Sequence, residues 1–168
     1  MRLMSPLKLL FSLTIALSLN LIADEHYLLP DQKSDLLHTL TSKIKRAEHI
    51  QIIISKLQET TLRSAIKKRI AKGSYLTLIA TDLKSAAYFA KYKHTQVYVP
   101  PSTYKEGKLA LFILLVDETD ICIGALTLDQ DRDKEQVTQV RCSTSKEEIT
   151  FAKSLLRTYK ERFVLYNH

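Results

Sequence analysis

Three glycines and two cysteines in 168 residues remove several chemistries at the outset. Gly73, Gly107 and Gly124 are scattered singly, so no glycine-rich loop exists to cradle a phosphate. Cys122 and Cys142 are too few for a disulfide framework or a zinc site. In an oxidising compartment they could pair with each other; as two free thiols they would sit equally well inside strands. No cluster of metal-ligating residues is seen, and no serine, histidine and acid follow one another with a hydrolase signature. After residue 23 there is no internal repeat, low-complexity tract or linker, so the chain is read as one domain.

The N-terminus is where hydrophobic residues concentrate. Arg2 and Lys8 precede an uncharged apolar run from Leu9 to Ala23, and Asp24 and Glu25 follow it. This is the layout of a secretory signal covering residues 1–23, with the domain over 24–168. The run falls short of the roughly 20 residues that a straight helix needs to cross a bilayer. Cleavage and export to the periplasm are expected, with retention as an inner-membrane anchor as the alternative, since Leu21 stands where a cleavage site prefers a small residue. The segment holds two of the 25 basic residues and none of the 18 acidic ones, leaving 23 against 18 and a net charge of +5. A basic exported chain suits nucleic acid, anionic lipid or an acidic partner.

Periodicity orders the rest. Leu36, Leu37, Leu40, Ile44 and Ala47 are spaced for a helix within 30–49, with Lys43, Lys45 and Arg46 near its end. The β-branched run Ile50, Ile52, Ile53 and Ile54 suits a buried strand. A second helix carries Leu62, Ala65, Ile66 and Ile70 and ends at Gly73 in a left-handed conformation. A strand at 75–81 implies a parallel pair with a crossover. A short helix at 83–92 and a strand at 95–99 follow, and Pro100 and Pro101 open a polar loop to Lys108. Strands at 109–116 and 120–125 flank a tight turn from Asp117 to Asp120. An exposed charged loop at 129–135 and a strand at 136–143, with Val137 and Val140 alternating, lead to a last helix over 144–163. Thr144 and Glu147 read as its capping box.

Taken in order, these elements resemble the phospholipase D superfamily, in particular its small exported single-domain bacterial endonucleases. The resemblance rests on four features. They are the leading helix, the strand, basic helix, Gly73 and strand of residues 47–82, the long apolar strand ending in Asp117 with Gly124 seven residues on, and the final strand and helix ending in "YKERF". It implies an α/β domain, a mixed sheet flanked by helices. It also implies a His-x-Lys-x-x-x-x-Asp motif ending at Asp117. Here the histidine position is Ala110 and the lysine position is Phe112. The serine after the family's glycine is Ala125, and the asparagine two further on is Thr127.

In such enzymes the histidine attacks a phosphodiester phosphorus, and the histidine of a second copy protonates the leaving oxygen. The lysine neutralises charge growing on a phosphate oxygen. A methyl group and a phenyl ring do neither, so inactivation is expected and Asp117 is left as a strand end and turn starter, with Asp120 closing the turn. Of the other histidines, His26, His38, His49, His94 and His168, only His94, beside Lys91 and Lys93, reads as near a strand entrance on the relevant side.

The reading is therefore a catalytically silent protein of the bacterial cell envelope that needs no cofactor and binds either a polyanion or an envelope protein, with a homodimer implied by the resemblance. Lys43, Lys45, Arg46, Lys67, Lys68, Arg69 and His94 are the candidates for contacting DNA or anionic lipid. The alternative is a residual phosphodiesterase with a relocated nucleophile.

Overall fold

The computed structural model describes residues 24–103, 109, 111–126, 128 and 137–167. Its elements are β1 (Glu25–Leu29), α1 (Lys33–Ile44), β2 (His49–Ile54), α2 (Thr60–Ile70), β3 (Tyr75–Ala80), α3 (Leu83–Ala90), β4 (Thr95–Val99), β5 (Phe112–Val116), β6 (Asp120–Gly124), β7 (Thr138–Ser143), α4 (Lys146–Arg162) and β8 (Val164–Leu165). The strands form one mixed sheet in the order β1-β7-β6-β5-β2-β3-β4-β8. β2, β3 and β4 are parallel, and the other pairs are antiparallel.

The isoleucine run of β2 explains the layering. Ile50, Ile52 and Ile54 join Leu36, Leu40, Leu62, Ile66 and Phe89 in one core cluster, beneath α1, α2 and α3. Ile53 belongs to the opposite cluster with Ile149, Ala152 and Leu156 of α4. A central strand covered on both faces has no solvent side, which is why the run does not alternate. Gly73 ends α2 with φ +96°, as its position predicts.

Cys122 and Cys142 are bonded to each other, and they stand directly opposite on β6 and β7. The thiol alternative is thereby closed. Four other expectations change. Residues 25–29, to which no element was assigned, form edge strand β1 against β7. β5 starts at Phe112 rather than 109, although Leu109 is buried. Val137 lies before β7 and is 82% exposed, so only Val140 faces the core. The helix cap is one residue later than expected. Ser145 caps α4 by accepting from the Glu148 N–H, while the buried Thr144 hydroxyl has no hydrogen-bond partner. The loop expected at 129–135 and part of the polar loop before Lys108 lie outside the described residues.

Candidate functional site

Strand register divides the chemistry between two ends of the sheet. Phe112 pairs with Gly124, and its neighbour Ile113 pairs with Ile53, so Phe112 and Gly124 lie at the C-terminal end of β2. Asp117 donates its N–H to His49 O at the other end, where β2 begins. Ala110, Thr127 and His168 lie outside the described residues.

At the first end, Phe112 is fully buried and shares the helix-side core with Ile54, Leu57 and Leu126. A phenyl ring thus packs among hydrocarbon at this end of β5. Gly124 has a steric reason of its own. A Cβ there would meet Gln139 O at 2.3 Å, so any side chain would push β7 away from β6. Ala125, which follows it, is exposed.

Next to this end a cavity of about 440 Å³ opens between α2 and α3, lined by Leu57, Gln58, Arg63, Lys84, Ser85, Ala87 and Tyr88. The Arg63 guanidinium lies 3.6 Å from the Tyr88 ring centroid. Ser85 holds the loop together, accepting from Leu57 N and donating to Asp82. The Asp82 carboxylate that takes the Ser85 hydroxyl also caps α3, accepting from the Ser85 N–H. Among the described residues, no group of three His, Cys, Asp or Glu could hold a metal ion.

At the second end the sequence candidates separate. Lys43 is held 2.6 Å from Asp120, and Arg69 donates to Ala47 O. Lys45, Arg46, Lys67 and Lys68 are exposed. His94 is also here, with φ 60° and its carbonyl bonded to Leu76 N at the start of β3. It therefore stands at the same end as Asp117 and remote from Phe112, so the expected side holds for the one position and not for the other. Its ring lies edge-on to Tyr75 at 5.0 Å, and Tyr75 stacks on His49 at 5.4 Å. This row of three rings was missed in the sequence, as were Lys72 and the clustering of Lys91 and Lys93 with the earlier cations. One signal could have found them. In a parallel βαβ unit every helix-to-strand connection emerges at the same end, and each of these residues lies just before or at a strand start.

A smaller cavity of about 250 Å³ sits there between Gly73 and His94, with Tyr92 and Lys93 in its wall. Burial, reinforced by a hydrogen bond with Tyr88, raises the Tyr92 phenol above its ordinary value. Tyr92 therefore stays neutral and contributes an apolar face.

The complete order of strands and helices can be compared with solved structures. NucT from Helicobacter pylori superposes with a TM-score of 0.73 at 20% identity, covering 86% of this chain and 99% of that one. Nuc from Salmonella typhimurium, a phospholipase D family member, gives 0.70 at 10% identity over 87% and 99%. The fold is that of the phospholipase D superfamily. Phosphatidylserine synthase from Haemophilus influenzae has the same fold in part, with a TM-score of 0.69 and 9% identity over 86% of this chain and 40% of that one. No family model and no curated protein matches the sequence. The phospholipase D-like fold is thus preserved at a sequence distance where motif residues carry little weight unless the structure places them.

Proposed function

We propose that the protein is a catalytically silent phospholipase D-like protein of the bacterial cell envelope that acts by binding a polyanion. The single observation that carries this reading is the complete burial of Phe112. Without an ammonium at that position, the lysine's neutralisation of a phosphate oxygen as charge grows in the transition state is lost, a contribution of roughly 3 kcal/mol or more. Ala110 offers no nucleophile, and His94, the candidate for a relocated one, lies at the opposite end of the sheet.

Two further observations support an envelope location. The Cys122–Cys142 bond suits an oxidising compartment. The apolar run Leu9–Ala23 follows a basic start, as in an export signal. Binding to a polyanion is supported by the exposed Lys45, Arg46, Lys67 and Lys68, whose contacts with phosphates would release condensed counterions.

The test has two readouts on the purified protein. Hydrolysis of bis(p-nitrophenyl) phosphate, DNA and phospholipid should be indistinguishable from buffer. Retention on duplex DNA, used as a probe polyanion, should fall steeply as salt rises. Turnover that follows the protein through purification, or binding that ignores salt, overturns the proposal.

A further inference from the structure

We propose that the end of the sheet where β2, β3 and β4 begin docks onto the surface of an anionic lipid bilayer. The inference rests on the reading of the protein as a polyanion-binding envelope protein, and it names the polyanion.

The path of the chain gives the first argument. Glu25 pairs with Cys142, Ser143 with Ile121, Asp120 with Val116, and Val116 with Ile50. Following that register across the sheet puts the start of β1 at the same end as His49. Residue 24 therefore leaves the folded domain at this end, and the apolar run Leu9–Ala23 is joined to it with no intervening linker. One or two residues reach no more than about 7 Å. Whenever that run is held in a bilayer, the β1 edge of this end lies beside the lipid headgroups, and charge decides whether the starts of β2, β3 and β4 rest on them as well.

Charge gives the second argument. The three helix-to-strand connections that emerge here carry Lys45 and Arg46, Lys72, and Lys91 and Lys93, all exposed. Helix dipoles account for cations in the last turns of α1 and α2, such as Lys67 and Lys68. They do not account for Lys72 or Lys93, which lie beyond the helix ends. Most acids of this end are engaged or lie to one side. Asp120 is paired with Lys43, Glu118 with Lys153, and the Asp117 carboxylate accepts two backbone N–H groups. Asp24 and Glu25 lie beside the chain exit, at the far edge of the sheet, and Glu48 is the one acid among the three connections. Strands about 4.8 Å apart place that exit roughly 20 Å from β2 along the same edge. The sheet would stand on the membrane, tethered at β1 and held electrostatically under β2, β3 and β4.

The exposed rings give the third. Tyr75 is 52% exposed and stands between His49 and His94. An amphipathic tyrosine ring suits the headgroup level.

The sequence contains no tryptophan, so Tyr75→Trp supplies a sole reporter at the proposed contact. The full chain is reconstituted into vesicles of phosphatidylcholine alone and of phosphatidylcholine with about one third phosphatidylglycerol. We expect a blue shift and quenching by brominated lipid in the anionic vesicles only, reversed by 0.5 M NaCl, an ionic strength that screens surface charge within a few ångströms. Replacing Lys45, Arg46, Lys72 and Lys93 together by Gln should weaken this association by at least about 100-fold, since each cation near an anionic surface contributes roughly fivefold. No quenching in anionic vesicles overturns the proposal, and so does equal quenching in both. A tryptophan response to DNA with none to vesicles overturns the lipid assignment and keeps the polyanion reading. Phosphodiester turnover in the same preparations overturns the reading beneath it.

Discussion

Asp117 and His49 are joined in both directions. The Asp117 N–H donates to His49 O at 3.0 Å, and Asp117 Oδ1 accepts from the His49 N–H at 2.7 Å. The same oxygen accepts from Glu48 N at 2.8 Å. Asp117 and Glu118 both have positive φ, at 49° and 57°, in a turn closed by Thr119 N donating to Val116 O. Two non-glycine residues in the left-handed region cost stability, and the carboxylate offsets it by completing the backbone hydrogen bonds where β2 starts.

Asp117→Ala should therefore lower the unfolding free energy by about 2 kcal/mol, the cost of leaving backbone donors without a charged acceptor. Asp117→Asn keeps an acceptor oxygen and should lose less. Urea denaturation of the three proteins checks the order, and equal losses would disprove the role.

Phe112→Ala should cost about 3–5 kcal/mol, as for other large-to-small changes in a packed core. Phe112→Lys should cost more still, because the ammonium would enter the same cluster without a partner. Thermal melting of both variants decides this. A Phe112→Lys protein as stable as wild type would show that the position opens to solvent.

Reducing Cys122–Cys142, whose residues are 20 apart in sequence, should lower stability by about 3 kcal/mol. Denaturation with and without dithiothreitol measures the loss. Thiol titration of the unfolded, unreduced protein should find no free sulfhydryl.

The two hydroxyls at the start of α4 should behave oppositely. Ser145→Ala removes the cap and should cost about 1 kcal/mol. Thr144→Val deletes a buried hydroxyl without a partner and should be neutral or stabilising. Chemical denaturation of both variants locates the cap.

Acid should loosen the same helix start. The Glu147 carboxyl is held below its ordinary value, first by its own backbone N–H and then by the Ser145 hydroxyl. Its folded value is depressed, so its contribution is complete above the ordinary carboxylate range and is lost as pH falls through the lowered value. Amide exchange over residues 146–149 should speed up there, and Glu147→Gln should remove that pH dependence.

Helix and strand order were largely legible because each element carries its own period. The isoleucine run of β2, the stripe of α2 and the stop at Gly73 are local properties, and the resemblance built on their order led to the right fold. Edge strand β1 escaped because five residues ending before Pro30 have too little pattern to outweigh the helix that follows. The cap moved by one residue because Thr144 and Ser145 are both good capping residues, and packing chose between them.

By itself, the sequence determined the succession of elements, since periodicity is written along the chain. Tertiary structure decided which residues share a place. It carried Asp117 and His94 to the end opposite Phe112, spent Lys43 and Arg69 on contacts within the fold, and gathered Lys45, Arg46, Lys72 and Lys93 beside three exposed rings. The physical reason is strand register. Side chains distant in sequence become neighbours only when parallel and antiparallel pairing fixes which ends of the strands meet.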